Sequence, residues 1–141
     1  MPLVCVDIVL SYENKIFLVK RAKKPQEGEW WFPGGRLLRG EELSAAPGRI
    51  TKTEVGLSVK RSVYLGFGET MFKTDPFGHD QGTHTINFVY GAKAAAFDVM
   101  AVTLDDNHSA YSAFTYDEIY TSDMHPYIKR FVALSEGVYR E

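Results

Sequence analysis

The chain predicts an α/β domain in the α+β sense, with strands and helices built around one sheet, and three observations carry that prediction. Leu3 to Leu10 and Ile16 to Lys20 are nearly continuous apolar runs rich in Val and Ile, separated by Tyr12-Glu13-Asn14-Lys15. That is the pattern of a hairpin covered on both faces. Val59 to Phe67 and Thr83 to Ala92 read as two longer strands. Two stretches read as helices: one closed by Gly56, the other running from His125-Pro126 to Glu136 with Ile128, Phe131 and Val132 on one face and Gly137 as its stop. A length of 141 residues suffices to bury most of the apolar surface of a single domain, 1–141, without disulfides.

Composition excludes several function classes. A net charge of −2 with interspersed signs gives no basic footprint for nucleic acid. No apolar run approaches a membrane span, and the N-terminus shows no charged segment leading into a signal core. The one cysteine, Cys5, excludes an internal disulfide and reads as a small buried strand residue, which suits a reducing cytoplasm.

Taken in order, Asp7 is the first residue that needs an explanation. A carboxylate inside an apolar strand is costly, so it should find a cation or face a polar site, unless it stands at an edge or on the surface. Arg21 ends the second strand, a polar loop follows, and Trp30-Trp31-Phe32-Pro33 reads as packing that delivers the chain to Gly34-Gly35-Arg36. From Gly34 to Leu57 the chain reads as a glycine turn, a loop with Glu41 and Glu42, and a helix carrying Glu54. Backbone carbonyls and a carboxylate brought together in this way suit a hard cation and a diphosphate. Pro47-Gly48 is tolerable if Ser44 is the N-cap and Pro47 lies in the first turn; placed deeper, the pair would kink the helix. Gly68 to Gly82 reads as a long, substrate-facing loop with His79 in it and His84 beside it. Asn107-His108 reads as a turn before a short strand, Tyr111 to Phe114, and Thr115 with Glu118 as a capping box. His125 reads as a helix cap.

Five residues separate Gly35 from Glu41, seven more lead to Arg49, and Glu54, Gly56 and Leu57 close the run. This spacing resembles the Nudix box, in which Arg is followed by Glu-apolar-x-Glu-Glu-x-Gly-apolar. Two of the usual acids are replaced here, by Ile50 and Thr53. Positions 50, 53 and 54 share one helical face, which leaves Glu54 as its only carboxylate. One Mg²⁺ needs only one or two protein carboxylates when phosphates and waters complete its shell. The same loss of acids makes the chain most similar to the GDP-mannose mannosyl hydrolases, Nudix proteins that attack carbon.

The resemblance implies an α/β/α sandwich with a mixed sheet, a nucleotide-sugar substrate, a tendency to form homodimers, and one Mg²⁺, with Mn²⁺ as the alternative ion. It implies that Gly35, Glu54 and Asn107 hold the metal. Asp7, Arg21 and Arg36 would meet the substrate, Arg21 at the diphosphate, and His108 would act as general base with Asp7 and Arg21 assisting. Glu41 and Arg49 would pair loop to helix, and Gly56 would end the helix. The family's active-site histidine near Thr70 is missing here, and Ser109, Ala110 and Ala113 replace its acidic and tryptophan residues after the base. Two alternatives remain open: an ordinary Nudix pyrophosphohydrolase of the ADP-ribose or nucleoside triphosphate type, and a binding protein that releases nothing.

Overall fold

The computed structural model describes residues 1–22, 28–72, 82–94, 102–104 and 108–139. Strands β1 (Leu3–Tyr12) and β2 (Lys15–Arg21) form the expected hairpin, with Glu13 and Asn14 both in the left-handed region that a two-residue turn demands. The two strands pair beside the turn and then fork. Two short strands occupy the fork: β3 (Trp30–Trp31) against Val19 and Lys20, and β4 (Gly34–Arg36) against Cys5 to Asp7. The remaining strands are β5 (Val59–Phe72), β6 (Thr83–Ala94) and β7 (His108–Thr115). Strand β6 runs parallel to β1 and antiparallel to β5, and β7 pairs with β2, so the seven-stranded sheet is mixed.

Helices lie on both faces. Helix α1 (Ala46–Val55) packs with Val6, Ile8, Leu10, Phe17, Val19 and Tyr90 on one side. Helix α3 (Pro126–Tyr139), with the short α2 (Tyr116–Tyr120), packs with Val9, Ile16, Leu18 and Val89 on the other. The apolar run of β1 therefore feeds two cores, its even residues facing α1 and Val9 facing α3. Each fully buried Ile or Leu, such as Ile8 or Leu18, contributes about 2 kcal/mol.

Several expectations need correction. Gly34 and Gly35 form strand rather than a tight turn, and neither has a positive φ. Strand β5 continues past Phe67 to Phe72 because Gly68 and Thr70 face inward while Glu69 and Met71 face out, the alternation a strand requires. Likewise β6 extends to Ala94, and β7 begins at His108, which stands on a strand and not in a turn. Ser44 does not cap α1: it lies in a single 3-10 turn, Leu43–Ala45, and Ala45 is the N-cap with no side-chain bond. Pro47 falls in the first turn of α1, where its missing N–H costs nothing. Helix α3 runs through Gly137 because Tyr139 anchors its last turn, donating from its hydroxyl to the Gly91 carbonyl at 2.9 Å. Thr115 and Glu118 do form the capping box, and His125 caps α3 by accepting from the Tyr127 amide at 3.0 Å.

Candidate active site

Because successive residues of β4 point to opposite faces, they divide the site in two. A Cβ on Gly35 would lie 3.4 Å from Glu54 Oε1 and 3.6 Å from Ile50 on the α1 face. A Cβ on Gly34 would overlap Asp7 Oδ1 on the α3 face and come within 3.0 Å of the Val6 carbonyl. Gly34 is there for close approach, not for turn geometry, whereas a Cβ on Gly35 would make only ordinary van der Waals contacts.

On the α1 face the structure brings Gly35, Glu54 and His108 together. Glu54 stands one residue before the end of α1, and His108 Nδ1 lies 3.3 Å from its Oε2. The imidazole is 2% exposed and the carboxylate 14%, so both are largely shielded from bulk water. Ile50 is buried in the core and Thr53 is exposed, leaving Glu54 as the acid that α1 turns toward β4. Glu54 Oε1 over a residue without a side chain is a space suited to a small, hard cation. Among the described residues, no group of three or more His, Cys, Asp or Glu converges on such a position. Asn107 lies outside the described residues, as does His79.

Arg49 secures the loop leading to α1. Its Nε donates to Glu41 Oε2 at 2.5 Å, while Nη2 donates to Glu41 Oε1 at 3.0 Å and to the Arg36 carbonyl at 2.9 Å. Glu41 Oε1 also accepts from the Leu38 amide, and the arginine holds the Glu41 carboxyl below its ordinary range. A lysine could not reproduce this fork. Gly56 ends α1 at φ 77°, and its N–H donates to the Lys52 carbonyl.

Asp7 departs from expectation. It was expected in the same site as Glu54 and His108, yet alternation along β1 and β4 places it on the opposite face. There it is 4% exposed, and its Oδ2 accepts from the Tyr127 hydroxyl at 2.6 Å and from Asn87 Nδ2 at 2.9 Å. Burial raises its pKa above the usual carboxylate range, opposed by those two hydrogen bonds and by the charge of Arg21. Neither Asn87 nor Tyr127 was singled out from the sequence. The available signal was an amide at an inward position of an apolar strand.

The arginines lie close by. Arg36 stands opposite Cys5 on β4. A register shift after Lys20 sets Arg21 opposite His108. Burial pushes the Cys5 thiol up to about 11; Asp7 adds to the shift, and Arg36 and Arg21 oppose it. His84 sits outside this assembly, paired with Glu69 at 2.7 Å on the surface. Trp31 is core, stacked on Tyr127 with ring centroids 5.1 Å apart.

A forked mixed sheet between helices, with a glycine strand facing a helical glutamate, defines a class, and the comparisons agree. The Nudix domain model matches residues 1–134, and the chain belongs to the Nudix family. It is a Nudix hydrolase. It is 30% identical over 132 residues to the low-salt glycan biosynthesis protein Agl8 of Haloferax volcanii, covering 94% of this chain and 81% of that protein. It is 34% identical over 120 residues to an ADP-ribose pyrophosphatase of Methanocaldococcus jannaschii, covering 84% and 70%. Among solved structures, a MutT Nudix hydrolase from Burkholderia pseudomallei shares the fold with a TM-score of 0.74, 23% identity and 99% coverage of both chains. The Nudix domain of Shewanella oneidensis NrtR, solved with ADP-ribose, has a TM-score of 0.75 at 17% identity, covering 97% of this chain and 88% of that one. Nudix hydrolases generally use divalent metal ions such as Mg²⁺. Among the described residues, no helix is long and apolar enough to cross a membrane.

Proposed function

We propose that this Nudix hydrolase cleaves a nucleoside diphosphate sugar, with GDP-mannose the first substrate to try, by water attack on the anomeric carbon. The observation that carries this reading is the single carboxylate, Glu54, that α1 turns toward Gly35, with His108 3.3 Å from it. With one acid among its described residues, the site can hold one ion against a leaving diphosphate but is poorly equipped to assemble several metals around phosphorus.

Glu54, the Gly35 carbonyl and Asn107 are the residues that would hold Mg²⁺, which when bound neutralises charge on the diphosphate. Arg21 and Arg36 contact the phosphates, a planar guanidinium matching two oxygens at once. His108 accepts a proton from water as its oxygen bonds to the anomeric carbon, and the bond from that carbon to the diphosphate oxygen breaks. Sugar of inverted configuration and nucleoside diphosphate are released. Burial keeps the imidazole fixed, and a positioned base typically contributes about 10²–10⁴-fold. Asp7, across β4, belongs in this reading to the part of the substrate beyond the phosphates. The glycan-biosynthesis name of the Haloferax volcanii relative supports a sugar nucleotide. The lone Cys5 suits a cytoplasmic setting.

A second reading, cleavage of the phosphoanhydride, is favoured by the ADP-ribose pyrophosphatase relative. The test is to incubate the protein with GDP-mannose, GDP-glucose and ADP-ribose in Mg²⁺ and to identify products by chromatography. Free sugar with a nucleoside diphosphate supports the first reading. A mononucleotide with a sugar phosphate establishes the second, and no turnover of any substrate refutes both for this panel.

A further inference from the structure

The α3 face of the sheet changes character at Asn87. Towards the carboxyl end of β6 it is apolar and covered by α3, whose Tyr127 and Phe131 lie against Gly68. In the other direction it is a stripe of buried polar residues, with Asn87 opposite Gly68 and beside Cys5, and Thr85 opposite Thr70 and beside Leu3. Arg36, opposite Cys5, stands at a position on the same face.

Asn87 is 4% exposed, and its two ends are treated differently. Nδ2 donates to Asp7 Oδ2 at 2.9 Å and to the Tyr127 hydroxyl oxygen at 3.1 Å. Oδ1 is buried and has no hydrogen-bond partner among the described residues. If Asn87 served only to hold Asp7 it would need only its donor, and Tyr127 already donates to the same carboxylate at 2.6 Å. A buried carbonyl without a donor is costly, so it persists where a donor arrives from elsewhere.

We propose that Asn87 is a substrate-recognition residue whose Oδ1 accepts a hydrogen bond from an N–H or O–H of the substrate's nucleoside or sugar half. This rests on the nucleotide-sugar reading above. Asp7 and Tyr127 fix the amide so that its oxygen faces away from them, and the diphosphate at Arg36 and Arg21 sets the distance at which the incoming donor is presented.

The test uses the full chain and whichever of GDP-mannose or ADP-ribose the wild type hydrolyses in Mg²⁺. Asn87→Ala should raise KM by about three- to tenfold, the value of one neutral hydrogen bond, with kcat within threefold. Asn87→Val, a strand-forming residue, provides the same measurement if the alanine variant does not fold. Tyr127→Phe loses one partner of the amide but keeps the acceptor, still oriented by Asp7 Oδ2 at 2.9 Å, so it should raise KM less than Asn87→Ala does. Titration with the nucleoside diphosphate and with the sugar phosphate then identifies the half carrying the donor, because only that half loses affinity in Asn87→Ala. A KM changed less than threefold in Asn87→Ala and Asn87→Val, or raised equally by Tyr127→Phe, overturns the proposal while leaving the functional reading intact. A wild type that hydrolyses neither substrate overturns both.

Discussion

Gly34→Ala should be the most damaging single methyl group in this protein, and the reason lies in one contact. The added Cβ would overlap Asp7 Oδ1, and it would sit 3.3 Å from Asp7 Cγ and 3.0 Å from the Val6 carbonyl. The carboxylate cannot swing aside freely, because Tyr127 and Asn87 hold its other oxygen. Relief requires giving up those two hydrogen bonds, at about 1 kcal/mol each, together with an overpacking strain of about 1–3 kcal/mol. The expected loss is about 3–5 kcal/mol. With an unfolding entropy of about 2.1 cal/mol/K per residue, that corresponds to a Tm about 10–17 °C lower, measured by calorimetry or circular dichroism. Asp7→Ala removes the obstacle. Tyr127 and Asn87 still bond each other at 3.1 Å, so its own cost should be about 1–2 kcal/mol. The double variant should therefore be more stable than the sum of the two single losses by about 2 kcal/mol. Additive losses would refute the claim that Asp7 is what makes glycine obligatory at position 34.

Other expectations follow from the same geometry. His108→Gln should lower turnover at least tenfold with Mg²⁺ affinity little changed; near-normal turnover in steady-state assays would remove His108 from the mechanism. Glu54→Gln should weaken Mg²⁺ activation at least tenfold in a metal titration, and an unchanged titration would show that the ion is held elsewhere. Asp7 titrates above its ordinary value when folded, so its contribution to stability is complete below pH 4 and is lost as pH rises through the raised value. The Tm gap between wild type and Asp7→Asn should accordingly narrow from pH 4 to pH 7, and a widening gap would contradict the burial argument. With its pKa pushed up to about 11, Cys5 should react with a thiol reagent at pH 8 far more slowly in the native protein than in urea; equal rates would contradict its shielding.

The fold was legible where the physics is local. The nearly continuous Val- and Ile-rich runs of β1 and β2 set the hairpin, Gly56 set the end of α1, and Thr115 with Glu118 set the start of α2. What was not legible depends on partners distant in sequence. Gly34 and Gly35 read as a turn because glycine usually signals one, whereas here both lie in a strand and Gly34 yields to the Asp7 carboxylate. Gly137 read as a stop because the anchor that carries α3 past it, Tyr139 on Gly91, is a tertiary contact. Within the site, the resemblance to the Nudix box implied that Glu54 works beside Gly35 and that Glu41 pairs with Arg49, and the structure sets each pair side by side. The resemblance could not show that Asp7 turns away from them, because the parity of one strand residue against another is settled only by register.

The measurement that tests the account most directly is hydrolysis of the nucleotide sugar in ¹⁸O-water, followed by mass spectrometry of both products. Attack at carbon, the outcome that the single carboxylate on the α1 face implies, places the label in the released sugar and none in the nucleoside diphosphate. Label in a phosphate group would show that water attacks phosphorus, and would contradict it.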